Sequence, residues 1–134
     1  KTAFRKKRKF LSCLATSFRQ LHDSGIYHGD LKANNIMIME LPGTWNFFYL
    51  DLDRVCFDKK ITLTKKIKNL SQLNASLSYC ITYTDRLRFY RAYTGVESLD
   101  SENKRILQAI IQLSLHRKHV WNPKIQIPQV SQIN

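Results

Sequence analysis

The reading turns on Leu21-His22-Asp23-Ser24-Gly25-Ile26-Tyr27-His28-Gly29-Asp30-Leu31-Lys32-Ala33-Asn34-Asn35. Just upstream, Leu11, Leu14, Ala15, Phe18 and Leu21 recur at three- and four-residue steps, which predicts a helix over residues 10–21 with one buried stripe, ending near His22. Asp23-Ser24-Gly25 supplies the stop, because glycine tolerates the left-handed conformation by which a chain leaves a helix. A loop follows, and it gathers a carboxylate (Asp30), an amine (Lys32) and a carboxamide (Asn35). Beyond it, Asn35-Ile36-Met37-Ile38-Met39, the turn Leu41-Pro42-Gly43-Thr44 and Phe47-Phe48-Tyr49-Leu50 read as a small hairpin, which runs out onto Asp51-Leu52-Asp53-Arg54.

Farther out the pattern is helical. Leu70, Leu73 and Leu77 mark a helix within residues 63–77; Thr84 or Asp85 is the expected cap of a helix through Leu87, Tyr90 and Ala92 that stops at Gly95. A last helix is expected from Asp100 or Ser101, with Ile106, Ala109, Ile110 and Leu113 on one face. His116, Arg117, Lys118 and His119 follow at its negative end. Tyr90 and Tyr93 are expected as core filler, and His116 and His119 as surface residues. The fold class is therefore α+β and mostly helical, one domain over residues 1–121 with an irregular tail over residues 122–134.

The totals restrict the partners. Lys and Arg number 22 against 10 acids, a formal charge of +12, so an anionic partner is expected on electrostatic grounds. No apolar run approaches the roughly 20 residues that span a bilayer. Cys13, Cys56 and Cys80 are odd in number, far apart and without metal-ligand spacing, which argues against a disulfide scaffold or zinc site and fits a reducing cytoplasm. Because the sequence begins at Lys1 with no signal-peptide pattern, it is expected to be an excised piece of a longer polypeptide.

The loop residues suit phosphoryl transfer. That reaction needs a carboxylate to orient the acceptor hydroxyl and take its proton, a cation on the migrating phosphoryl group and an oxygen ligand for magnesium, all within a few ångströms. Asp30, Lys32 and Asn35 are those types in that order. His28-Gly29-Asp30-Leu31-Lys32-Ala33-Asn34-Asn35 meets every fixed position of the kinase catalytic-loop pattern His-x-Asp-Leu-x-x-x-Asn. Asp51-Leu52-Asp53 stands where kinases carry Asp-Phe-Gly: the metal-binding Asp remains, a smaller apolar residue replaces Phe, and the Gly is gone.

On these motifs the chain resembles the bacterial lipopolysaccharide kinase family, whose members phosphorylate Kdo or heptose of the inner core. Tyr49-Leu50-Asp51-Leu52-Asp53-Arg54, then Lys68-Asn69-Leu70-Ser71-Gln72-Leu73-Asn74-Ala75-Ser76-Leu77 and Arg86-Leu87-Arg88-Phe89-Tyr90-Arg91-Ala92-Tyr93, carry the resemblance together with the catalytic loop. It implies a protein-kinase-like C-terminal lobe whose hairpin carries the catalytic and metal-binding segments. It further implies ATP and magnesium as cofactors, Asp30 as catalytic base, Lys32 as a catalytic and nucleotide-binding residue, and Asn35 and Asp51 as ligands of magnesium and nucleotide. His28 is implied as structural. The implied partner is a core sugar or other anionic glycan, at a cytoplasmic site with peripheral contact to the anionic inner membrane; nucleic acid is not the expected partner.

The departures also inform. No Gly-rich loop, strand lysine or partner Glu occurs, so the N-terminal lobe that clamps ATP is expected to be absent and the fragment alone inactive. No Ala-Pro-Glu closes an activation segment, and Gly29 replaces the Arg that pairs with a phosphorylated loop in many protein kinases, which favours a small or glycan acceptor. Asp53 is left between a salt bridge with Arg54 or Lys59 and a second metal-facing role. The run Arg5-Lys6-Lys7-Arg8-Lys9 is left between a solvated face and a contact with an anionic partner. Two other readings stay open: a catalytically inactive basic module for nucleic acid or anionic membrane, and another small-molecule kinase of the same superfamily.

Overall fold

A computed structural model describes residues 1–117. The first helix, α1, runs Thr2–Asp23, eight residues earlier than its apolar stripe begins. Residues 2–9 carry no stripe to read, but Lys, Arg and Ala are good helix formers and simply extend the turn. The basic run therefore lies on α1, where Lys6 pairs with Glu40 and Lys7 with Asp85, both at 2.5 Å, and Arg8 sits over the Phe4 ring. After Gly25, at φ +75°, the chain forms β1 (Ile26–His28), a short 3-10 turn at Ala33–Asn35, then β2 (Ile36–Leu41) and β3 (Thr44–Tyr49). A second 3-10 turn at Leu52–Arg54 leads into β4 (Val55–Phe57), then α2 (Leu63–Ser76), α3 (Tyr83–Thr94) and α4 (Ser101–Leu115). The class is α+β and mostly helical.

Two antiparallel ribbons make up the strands. β2 pairs with β3 as the expected hairpin, with Ile36 opposite Tyr49 and Leu41 opposite Thr44. β1 pairs with β4, with His28 opposite Val55 and Ile26 opposite Phe57; the sequence reading leaves residues 26–28 in a loop. Strand side chains alternate between faces, so Trp45, Phe47 and Tyr49 turn in toward α1. Phe10 packs edge-on against Trp45 with ring centroids 5.3 Å apart, and Ser17 shares a hydrogen bond with the Tyr49 hydroxyl.

α1 packs on α3, and α2 on α4. The core between them is Leu14, Ala15 and Phe18 from α1, Leu70 and Leu73 from α2, Phe89, Tyr90 and Tyr93 from α3, and Ile110 from α4. Phe18 meets Phe89 edge to face at 5.5 Å. One loop residue joins this core: Leu31, between Asp30 and Lys32, is fully buried. Burying a Leu side chain is worth about 1.5–3 kcal/mol, enough to hold the loop against the helices.

Helix ends follow the side-chain chemistry. α3 is capped by Thr82, not by Thr84 or Asp85; the Thr82 hydroxyl accepts from the Asp85 amide and the Asp85 carboxylate accepts from the Thr82 amide, a reciprocal box that needs the acid three residues after the cap. Asp85 is buried; burial alone would raise its pKa, but hydrogen bonds from Lys7 and Thr82 hold it below the ordinary value. Asp100 caps α4 as expected, accepting from the Asn103 amide at 2.8 Å. Arg86 of α3 lies past the end of α2, donating to the carbonyls of Asn74 at 2.7 Å, Ser78 at 2.8 Å and Ile81 at 2.9 Å. Those carbonyls include orphans of a helix C-terminus, the end that favours a cation. Burial pushes Arg86 down to about 10, still charged at neutral pH. The tail over residues 122–134, with Lys118 and His119, lies outside the described residues.

Candidate active site

Asp30, Lys32 and Asn35 meet in one turn. The Lys32 amine lies 3.2 Å from Asp30 Oδ2, and Asn35 Nδ2 donates to the Asp30 carbonyl at 2.7 Å and to Oδ2 at 3.3 Å. Backbone bonds tighten the same turn: the Lys32 amide donates to the Asp30 carbonyl and the Asn35 amide to the Lys32 carbonyl. One carboxylate oxygen, Oδ2, thus takes both side-chain partners, and among the described residues Oδ1 has none. Asn35 is likewise turned so that its amino group faces the protein and its Oδ1 is unclaimed.

Asp51 reaches this turn through Leu50. The Leu50 amide donates to the Asn35 carbonyl at 2.7 Å, and His28 Nε2 donates to the Leu50 carbonyl at 2.7 Å. The other imidazole nitrogen of His28, Nδ1, accepts from the Asp30 amide at 3.0 Å. Since a carbonyl only accepts and an amide only donates, His28 is held as the neutral Nε2–H tautomer. His28 is buried and couples Asp30 to the segment before Asp51.

Asp51 itself is exposed and left-handed, φ 59° and ψ 68°, and among the described residues it is the one non-glycine with positive φ. A non-glycine residue in that region costs about 1–2 kcal/mol, a cost typical of functional turns. β3 ends at Tyr49 and the chain turns left-handed at Asp51, so Asp53 does not continue the strand's alternation. Among the described residues neither carboxylate has a hydrogen-bond or ion-pair partner, and Asp53 pairs with neither Arg54 nor Lys59. Asn35 Oδ1 and the Asp51 carboxylate are two unclaimed hard oxygen donors, the ligand type magnesium takes when it keeps waters and substrate phosphates for its other positions. No group of three or more His, Cys, Asp or Glu side chains converges among the described residues, so these two donors are not part of an all-protein cage.

A set of side chains not expected to touch the loop holds it from below. From α2, Asn69 Nδ2 donates to the His28 carbonyl at 2.5 Å, Gln72 Nε2 to the Gly29 carbonyl at 2.9 Å, and Ser76 Oγ accepts from the Ala33 amide at 2.8 Å. Asn69 Oδ1 is left to accept from His22 Nε2 at 2.9 Å, which leaves His22 Nδ1 to accept from the Tyr93 hydroxyl at 2.7 Å. Burial lowers the His22 pKa below 6.5, outweighing the bond to Asn69, and raises that of Tyr93. The sequence carried a signal for this set: Asn69, Gln72 and Ser76 are polar residues at helical spacing beside the core residues Leu70 and Leu73.

Comparison with known proteins bears on the fold and the family. A solved structure described as WaaP in complex with acyl carrier protein matches with a TM-score of 0.70 and 21% identity, over 81% of this chain and 48% of that one. The chain thus spans about half the length of that relative, and the likeness is one of fold. No curated protein matches the sequence. The model of the lipopolysaccharide kinase (Kdo/WaaP) family matches residues 2–93, which include the Asp30–Asn35 loop, the Asp51 turn, α2 and most of α3. The chain belongs to the lipopolysaccharide kinase (Kdo/WaaP) family.

Proposed function

We propose that residues 1–121 are the lower, acceptor-side lobe of an ATP-dependent phosphotransferase that phosphorylates a sugar hydroxyl, of Kdo or heptose, in the lipopolysaccharide inner core. The observation that carries the reading is the Asp30–Lys32–Asn35 turn, joined to Asp51 through both backbone groups of Leu50.

Asp30 Oδ1, the carboxylate oxygen with no partner among the described residues, takes the acceptor proton; Oδ2 is held by Lys32 and Asn35 so that the carboxylate stays oriented. Lys32, beside the base, offsets charge on the migrating phosphoryl group. Asn35 Oδ1 and Asp51 would hold magnesium, which would supply positive charge to offset that of the nucleotide phosphates. The Gly-rich loop, strand lysine and partner Glu that clamp ATP do not occur in these residues, so the nucleotide clamp is assigned to the upper lobe. The basic surface draws the anionic core and holds the protein peripherally at the cytoplasmic face of the inner membrane. Among the described residues no helix is long and apolar enough to cross that membrane.

The test is transfer of label from radiolabelled ATP to purified inner-core acceptors by the full protein. Label in the sugar, lost by roughly 10²–10⁴-fold in Asp30→Asn with ATP binding kept, is the expected result. Equal labelling by the Asn variant, or no labelling of any core acceptor by the wild type, would overturn the reading.

A further inference from the structure

One side chain that brackets Asp30 without touching it is on another element. Gln72 of α2 is 4% exposed, and its carboxamide spans the two peptide groups that flank Asp30. Nε2 donates to the Gly29 carbonyl at 2.9 Å, and Oε1 accepts from the Leu31 amide at 3.0 Å. Each backbone partner has a fixed role, so the carboxamide fits only one way round. Asn69 Nδ2 donates to the same Oε1 at 3.0 Å, and Asn69 is in turn fixed by the His28 carbonyl and by His22. The orientation of Gln72 is therefore set from both sides.

The plain alternative is a buried carboxamide that only satisfies two buried backbone groups. Two observations favour more. The Gly29 carbonyl and the Leu31 amide have no other partner among the described residues, so these two groups, one on each side of Asp30, are held by Gln72 alone. Leu31 anchors the loop in depth by burial, but an apolar anchor is non-directional; the Gln72 pair adds directional bonds on both sides of Asp30. A carboxylate misplaced by about 1 Å can cost roughly 10²-fold in rate.

We infer that Gln72 is a positioning residue for phosphoryl transfer, fixing Asp30 by bracketing it while touching neither substrate nor nucleotide. This rests on the phosphotransferase reading above.

The full protein carrying Gln72→Leu, Gln72→Glu or Asn74→Ala tests it. Gln72→Leu removes both bonds, and its kcat is expected to fall roughly 10–100-fold with KM for ATP and acceptor nearly unchanged. Gln72→Glu keeps an acceptor for the Leu31 amide but no donor for the Gly29 carbonyl, and is expected to fall between Gln72→Leu and wild type. Asn74→Ala removes bonds to Ser114 and Arg86 on the same helix, away from the loop, and controls for general loosening of α2. Amide exchange at Leu31 gives a second readout, faster in Gln72→Leu and unchanged in Asn74→Ala. Wild-type kcat in a folded Gln72→Leu, or unaltered Leu31 exchange, would overturn the inference. A wild type that transfers no phosphate would fail the functional reading instead, and Leu31 exchange would still decide whether Gln72 holds the loop.

Discussion

Gly29 and Arg54 lie back to back: the Gly29 amide donates to the Arg54 carbonyl at 2.9 Å, and a Cβ on residue 29 would stand 2.7 Å from the Arg54 Cβ and 2.8 Å from its carbonyl oxygen. The space that a side chain at position 29 would need is thus filled from the facing segment. This gives a steric reason for glycine where many protein kinases carry arginine. It also ties the residue before Asp30 to the one after Asp53.

Gly29→Ala should therefore destabilise the protein by about 1–3 kcal/mol, the usual cost of forcing an extra carbon into a packed site. Urea unfolding measures it. An Ala variant as stable as wild type would show that the turn at Arg54 can step back freely.

Asp51 and Asp53 should separate in a magnesium titration of the active enzyme. Asp51→Ala is expected to lose turnover at every magnesium concentration, and Asp53→Ala to keep activity with a changed magnesium requirement at most. Because Asp51 is left-handed at φ 59°, Asp51→Gly should be inactive yet no less stable, gaining up to about 1 kcal/mol from relief of the turn. A dead Asp53→Ala beside a working Asp51→Ala would move the metal site by two residues.

His22 should make stability pH-dependent on the acid side of neutrality. Burial lowers its folded pKa below 6.5, so between those values the unfolded chain binds the proton and the folded one does not. Its contribution is complete above 6.5 and is lost as pH falls through 6.5 toward the folded value. Chemical denaturation across that range should show a slope that flattens in His22→Gln. An unchanged slope in the variant would remove His22 as its source.

Arg86→Ala should cost about 2–4 kcal/mol, because it takes the side-chain donor from the Asn74 carbonyl in the last turn of α2 and from the Ile81 carbonyl beyond it. Arg86→Lys should recover less than half of that, since an ammonium on a flexible stem cannot reproduce the planar fork. Thermal and urea unfolding of the two variants give the comparison.

What could be read beforehand was whatever is local. The stripe through Leu14 and Phe18, the turn at Pro42-Gly43 and the cap at Asp100 are each decided within a few residues. The order Asp30, Lys32, Asn35 is local too, and the turn that joins them follows from it. β1 and β4 escaped because three-residue strands show no alternation, and their partners lie far apart in the chain. The early start of α1 escaped because a solvated basic turn has no buried face. The hold of Asn69, Gln72 and Ser76 on the loop needed the packing of α2 beneath it, which propensity does not express. Thr82 was passed over for Thr84 because a cap is defined by the geometry it closes with Asp85, and both residues are good caps in isolation.

The two ribbons have a colloidal consequence. Among the described residues each has two strands, so every strand there keeps one open edge, and the hairpin's outer side shows Met37, Met39 and Phe48 to solvent. Open edges beside apolar side chains are templates for pairing with another molecule. At low ionic strength the net charge of +12 keeps copies of this stretch apart, and salt shortens the reach of that repulsion to about 8–10 Å. As salt rises, precipitation of still-folded molecules is then expected to set the concentration limit before unfolding does.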